Sequence, residues 1–513
     1  MTTWLHALIH LNRLIVWLAL AVLVGLLHLG TAYFGYGYLG FPLDDGWIHQ
    51  TYARNLGLKG EFSFTPGVTS TGSTSPLWTV LLSLGYLFNV PFLWWVYGLG
   101  ILFLGLSGFS MARLGHHLFE DKPWLGALVG LMLLFEWHLG WATVSGMETI
   151  FFIWGTIFLL ERYSVLNTDD RYNTSALFAL GLLGGGLTLI RPEGLGLAGL
   201  IGIGMGLTTL RDVRQTKYQT LLKRWLSYGL GLLIPIVPYL IFNDVVSGHI
   251  FPNTLYAKQQ EYGLWIQEQF TEAQAWQFRL QVFSAPFIGA QILLIPGILK
   301  TIMIIWQKRN IALAIPFFWW VSHAILFFIR LPVTYQHGRY EMPVIPWILF
   351  LGIYGLAHLL KPRHRHLWPR VLSQVARPTI IIVTGLFFGL GLQAYAKDVR
   401  IIETEMVDVA RWLKENTADD AIIAAHDIGA IGYFTERQLV DLAGLITPDV
   451  IPFIRDEEAL LEFSINQQAT YLVTFPSWYP HMTQNLPEIY NTNSPWARDA
   501  GSDNMAVFTL PPR

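Results

Sequence analysis

Two neighbouring carboxylates, Asp44 and Asp45 in the run LDDGWIH (43–49), stand out as residues able to do chemistry. Adjacent carboxylates repel, so either one holds its proton to a higher pH or both share a divalent cation such as Mg, Mn or Ca; either state suits catalysis. The plainer reading is a helix cap, since an Asp before a helix satisfies free N–H groups, but one Asp suffices and the second would be idle. Further candidates lie in SGMET (145–149), with Glu148; RPEG (191–194), with Arg191 and Glu193; FPNT (251–254), followed by Lys258; and HGRYEMP (337–343), with His337 and Arg339. Arg presents a planar, two-pronged donor that matches phosphate oxygens, so Arg191 and Arg339 rank above Lys258, for which snorkelling to headgroups is an equal account. Glu148 and Glu193 fit packing networks as readily as chemistry. His337 is a donor candidate, because no His/Asp cluster has zinc spacing. The chain has no cysteine, which removes thiolate sites and cysteine nucleophiles.

These residues need a scaffold, and composition says which kind. Apolar residues make up 53% of the 513, charged residues only 13%, and Trp, Tyr and Phe are abundant, a mixture suited to a membrane and not to a soluble fold. The net charge of -2 favours no nucleic-acid partner. Spans are expected near 14–36, 92–112, 124–142, 148–164, 175–190, 194–210, 225–243, 285–305, 311–330, 343–360 and 378–396, each near the roughly 20 residues a crossing needs. The first is too long for a signal-peptide core and is read as retained. The expected fold is therefore mainly α, a polytopic transmembrane bundle of about 11 spans.

Threaded this way, the loops fall into two kinds. One is basic: Arg113/Lys122, Arg162/Arg171, Arg211/Arg214/Lys217/Lys223/Arg224, Lys308/Arg309 and Lys361/Arg363/Arg365/Arg370/Arg377. Lys and Arg accumulate in short cytoplasmic loops, so these face the cytoplasm, as does the N-terminus. The other kind carries every candidate named above, facing away from ATP and soluble nucleotides. Pro76–Phe88 is apolar but short; counting it as a span would invert every later loop, so it reads as an interfacial helix in the first outer loop. Asp45–Leu58 reads likewise, with Ile48, Tyr52 and Leu56 at helical spacing and His49, Gln50, Arg54 and Asn55 off that stripe. Arg54 and His49 are then placed to line a cleft.

From about Lys397 the apolar runs shorten and charges return. The expectation is a transmembrane domain over 1–396 and a small soluble α/β domain over 397–513, outside the membrane. Val407–Asn416 and Glu457–Phe463 read as helical, and Ala421–His426, Gln438–Leu442, Thr470–Phe475 and Met505–Leu510 as strands. Asp427–Gly432 supplies turn chemistry, so His426-Asp427 reads as a strand-to-turn junction or an acceptor-binding element. Phe475–Tyr479 could stack on sugar rings, although a surface loop at the membrane is the plainer account.

Taken together, D-D-x-x-I-x-x-x-Y-A-R-N, T-S-P-L-W, G-M-E-T, R-P-E-G, the Pro-Asn-Thr loop and H-D-I-G-A-I-G-Y…D-L-A-G-L resemble, in order along the whole chain, bacterial members of the GT-C superfamily of integral-membrane glycosyltransferases. That superfamily includes mannosyltransferases, arabinofuranosyltransferases and oligosaccharyltransferases. The resemblance implies a sugar taken from a polyprenyl-phosphate carrier in the plasma (inner) membrane and passed to a glycan, lipid or protein acceptor on the extracytoplasmic side, among membrane lipids. Such a reaction needs a base for the acceptor hydroxyl and cationic or metal help for the leaving phosphate. Asp44, Asp45 and Glu148 are then the catalytic candidates, with Asp44 and Asp45 also the metal candidates. Arg54, Arg191, Glu193, Lys258, His337 and Arg339 are the substrate-binding candidates. One base and no obvious carboxylate nucleophile suggest inversion. The alternative is a transporter or flippase of a lipid-linked sugar, which would want ionisable groups in mid-span.

Overall fold

The computed structural model describes residues 13–119, 121–168, 173–212, 218–360 and 367–512. Of the basic positions named above, Arg171, Arg214, Lys217, Lys361, Arg363 and Arg365 lie outside these. Among the described residues, eight helices are long and apolar enough to cross a membrane, or nine if Leu125–Leu134 and Trp137–Thr143, bent by 60°, form one broken span. Eleven were expected, and the difference lies in helix length. Thr174–Ile190 and Gly194–Thr208 are apolar but shorter; the 17 residues of the first rise about 26 Å, under the ~30 Å of a hydrocarbon core. Phe34, Trp306 and Ile381 stand exposed on the helices, as apolar groups do where lipid is the solvent.

The bend in the broken span has a local cause. Glu136 Oε2 accepts the Leu139 N–H at 3.0 Å, capping the second half-helix, while Oε1 accepts from Gln291 Nε2 at 2.6 Å and lies 2.7 Å from His138 Nδ1. All three side chains are buried, so the polar trio satisfies the chain where the helix breaks.

The first loop holds helices Asp45–Lys59 and Pro76–Leu87, as expected, but the first does not lie open on a surface. His49, Gln50 and Asn55, assigned to its polar side, are buried with Trp47 and Tyr52. Trp47 packs its ring on Tyr433 and Phe434 at 5.0 and 4.8 Å, and Tyr86 of the second helix donates to Gln50 Oε1 at 2.7 Å. The C-terminal unit thus covers one side of the helix and Pro76–Leu87 another, which amphipathic periodicity alone could not reveal.

That unit is built on a five-stranded sheet: β1 Ile422–Ala425, β2 Gln438–Asp441, β3 Tyr471–Thr474, β4 Glu488–Asn491 and β5 Ala506–Thr509, in the order β2-β1-β3-β5-β4. β1 pairs parallel with β2 and β3, while β5 runs antiparallel to β3 and β4. β4, largely exposed, was not anticipated. Helix Leu367–Ile402 crosses the expected division at 396/397 and continues through a π turn, Glu403–Val407, into Asp408–Asn416. The two units therefore share a helix.

Glu148 and the arginine-paired Glu161 sit at opposite ends of one helix. Glu148 immediately precedes helix Thr149–Thr168, whereas Glu161 near its other end takes Arg113 Nε and Arg162 Nη2 at 2.5 and 2.7 Å. That places about 20 Å of helix between the two carboxylates.

Candidate active site

Asp44 and Asp45 lie side by side but face different partners. Asp44 does not cap its own helix. Its Oδ2 accepts the backbone N–H of Gly429 at 2.6 Å and its Oδ1 that of Ala430 at 2.8 Å, at the start of helix Gly429–Thr435. Asp427–Gly432, expected as a turn, therefore opens a helix whose free N–H groups and dipole meet a carboxylate. Only glycine fits at 429, because a Cβ there would come within 2.2 Å of the Asp44 carbonyl oxygen. Burial, the main influence, lifts the Asp44 carboxyl to about 6, with the two N–H groups opposing and Asp45 reinforcing the rise.

Asp45 points into a cluster of cations. It pairs with Arg339 Nη2, and Lys258 Nζ lies 3.7 Å away. Lys258 and Arg339 also donate to Tyr340 Oη at 3.1 and 3.0 Å, with Tyr335 Oη 3.3 Å from the same oxygen. The Arg339 guanidinium lies 4.9 Å from the Tyr340 ring and 5.5 Å from that of Tyr335. Its Nε and Nη1 are buried and meet no acceptor among the described residues, which is costly for a charged donor. Burial works against the Asp45 charge, but Arg339 and then Lys258 outweigh it and hold the carboxyl well below the usual range. Lys258 is held above its ordinary value, Asp45 overcoming burial.

Glu148 and Arg191 complete a second layer. Gly146, at φ +83, turns the SGMET loop against Phe41, and its carbonyl accepts from Trp78 Nε1 at 3.0 Å. This presents Glu148 to His49 Nε2 at 3.2 Å and Arg191 Nη1 at 3.6 Å. Arg191 Nη2 also donates to Glu193 Oε1 at 2.9 Å, and its guanidinium is 5.8 Å from the Tyr340 ring. Burial opposes the charge of Glu148, but His49 and Arg191 hold its carboxyl low, and Arg191 does the same for Glu193.

The structure thus gathers Asp45, Glu148, Arg191, Glu193, Lys258 and Arg339, with Asp44 at the edge holding the C-terminal unit. It does not bring in His337 or Arg54. Gln336, His337 and Gly338 all have positive φ, and the turn sends His337 Nε2 to Asp398 Oδ2 at 2.7 Å, between Trp137 and Trp141. Arg54 Nη1 donates to the Tyr433 carbonyl at 2.6 Å and lies 3.4 Å from Glu436, so it belongs to the seam with the C-terminal unit. Sequence reasoning missed Tyr335 and Tyr340, which sit against the guanidinium; their place beside Arg339 was the available signal. It also missed Glu341, buried next to Tyr340 with neither carboxylate oxygen hydrogen-bonded among the described residues.

A family model described as a domain of unknown function (DUF8728) matches residues 394–508, nearly the whole C-terminal unit. No curated protein matches by sequence. Among solved structures the chain is similar to ArnT from Cupriavidus metallidurans bound to undecaprenyl phosphate, with a TM-score of 0.55 and 14% identity over 97% of this chain and 98% of that one. It is also similar to the Archaeoglobus fulgidus oligosaccharyltransferase in complex with Zn and sulfate, with a TM-score of 0.61 and 12% identity over 90% and 67%. The archaeal oligosaccharyltransferase AglB from Archaeoglobus fulgidus, in complex with an inhibitory peptide and a dolichol-phosphate, gives 0.60 and 11% over 90% and 69%. These likenesses show the fold, the helical bundle with a small C-terminal sheet unit expected from the sequence.

Proposed function

We propose that this chain is a membrane glycosyltransferase that moves a sugar from a polyprenyl-phosphate donor to an acceptor hydroxyl on the extracytoplasmic side of the plasma (inner) membrane. One observation carries the reading: Arg339, buried, pairs with Asp45 while two of its other nitrogens meet no acceptor among the described residues. A phosphate monoanion or dianion brings several acceptor oxygens and suits such a fork. ArnT was solved with undecaprenyl phosphate and AglB with a dolichol-phosphate, which supports a lipid-phosphate donor for this fold.

The chemistry follows from competition for the same cations. A donor phosphate draws Lys258 and Arg339 onto its oxygens and frees the Asp45 carboxylate toward the acceptor. The acceptor hydroxyl gives its proton to Asp45 as its oxygen bonds to the anomeric carbon. The bond from that carbon to the phosphate oxygen breaks, the electron pair leaving on the phosphate, whose growing charge the two cations stabilise. Direct displacement inverts the anomeric centre. Glu148 and His49 hold Arg191 and the loop floor, and Asp44 fixes the C-terminal unit against the site.

A divalent cation fits this donor set poorly. Among the described residues no three His, Asp or Glu side chains are grouped as ligands. Both Asp44 oxygens already accept N–H groups and Asp45 already faces two cations. The Zn in the archaeal oligosaccharyltransferase structure is that protein's own.

The test is purified protein in lipid nanodiscs with labelled polyprenyl-phosphate pentose and hexose. Transfer of label to acceptor supports the reading. Movement of the lipid between leaflets of reconstituted vesicles without transfer would make the chain a flippase.

A further inference from the structure

Helix Asn253–Gln269 carries Lys258 and Glu261 three residues apart, hence on one face, and the two meet different partners. Lys258 joins the cations around Asp45. Glu261 Oε1 lies 3.8 Å from His426 Nε2 in the C-terminal unit, and His426 Nδ1 is 2.7 Å from Tyr479 Oη. Trp478 sets its ring edge-on to His426 at 5.1 Å and is about half exposed. Asp427, next in the chain and two residues before the N–H that binds Asp44, has an oxygen, Oδ2, that is shielded from solvent and has no hydrogen-bond partner among the described residues. Beside the cations around Asp45 thus lies a group of acidic side chains and rings, contributed largely by the C-terminal unit.

We propose that Glu261, His426, Asp427, Trp478 and Tyr479 form the acceptor subsite, and that it takes a neutral sugar and rejects a phosphorylated one. Acidic side chains hydrogen-bond to adjacent sugar hydroxyls, and an exposed indole offers a flat apolar face to a sugar ring. The Glu261 carboxylate repels a phosphate on the acceptor, while Asp427, whose carboxyl burial raises, offers a hydrogen-bonding group without adding to that repulsion. The two halves divide the labour by charge: the phosphate-bearing donor goes to Lys258 and Arg339, and the uncharged acceptor to the C-terminal unit. The inference rests on the transferase reading, since without a transferred sugar there is no acceptor.

The experiment is saturation-transfer NMR on the full chain in nanodiscs saturated with undecaprenyl phosphate, which occupies Lys258 and Arg339, with methyl glucoside, methyl mannoside and methyl galactoside against glucose 6-phosphate. At least one neutral glycoside is expected to receive saturation and glucose 6-phosphate none. Trp478→Ala should weaken that glycoside by roughly fivefold, and Glu261→Gln should admit the phosphorylated sugar. Equal or stronger binding of glucose 6-phosphate by the unaltered chain, no binding of any glycoside, or indifference to Trp478→Ala would overturn the proposal. Undecaprenyl-phosphate binding and donor-dependent transfer, measured on the same sample, separate the two readings: if both persist while glycoside binding fails, only the acceptor subsite is wrong.

Discussion

The Asp44 carboxylate receives the backbone N–H groups of Gly429 and Ala430, a contact that spans 385 residues of sequence and joins the first loop of the bundle to the C-terminal unit. Its neighbour Asp45, one peptide further on, faces the cations instead. The acidic pair is therefore a hinge between architecture and chemistry.

Replacing Gly429 with Ala should loosen that joint, because the new methyl would meet the Asp44 backbone oxygen. A cost of about 1–3 kcal/mol is expected from the strained contact and lost hydrogen bonds. Hydrogen exchange should show faster exchange across 429–435 with the bundle helices unchanged; unchanged protection there would contradict the joint.

Arg339→Lys should keep the charge beside Asp45 but lose the fork, so donor affinity should fall about tenfold or more, with Arg339→Ala worse. Undecaprenyl-phosphate protection against thermal unfolding reports this. Equal protection of the Lys variant would mean that the guanidinium geometry is irrelevant to the donor.

Acid should stabilise the fold over part of the pH range. The Asp44 carboxyl titrates near 6 when folded, above its ordinary 3.8, so between these values the folded chain holds the extra proton and stability declines as pH rises through 6. Asp427 and Asp441, also raised by burial, act in the same sense. Asp45 and Glu148, held low, oppose this only at more acid pH. The apparent melting temperature at pH 5 should exceed that at pH 7.5 by a few degrees, and Asp44→Asn should flatten the slope; an unaltered slope would contradict the assignment.

Much of this was legible in the sequence because bundle spans announce themselves by length and apolarity, and because Glu148, Arg191, Glu193 and Arg339 fall at or near the ends of such segments. What the sequence hid was long-range pairing. Asp44 read as a candidate base, with a helix cap as the plainer alternative, and it is bound to a helix start almost four hundred residues away. The apolar stripe of Asp45–Leu58 implied a free polar face, yet Glu148, Tyr86 and the carbonyls of Ser63 and Phe64 take up His49, Gln50 and Asn55, and the C-terminal unit takes up Arg54. His337 sits in a promising motif, and a run of positive φ angles turns it to Asp398. Hydrophobic periodicity carries no information about any of these.

Sidedness can be read directly because the chain has no cysteine of its own. Single cysteines at Lys59 and at Lys308, both exposed, should react with an impermeant maleimide from opposite sides of oriented vesicles, Lys59→Cys from the extracytoplasmic side. Labelling from the same side would contradict the placement of the site.

The account turns on Asp45 as the group that takes the acceptor proton. Sugar transfer from a labelled polyprenyl-phosphate donor should fall by about 10²–10⁴ in Asp45→Asn while the protein stays folded and still binds undecaprenyl phosphate. Undiminished transfer by that variant would contradict the mechanism.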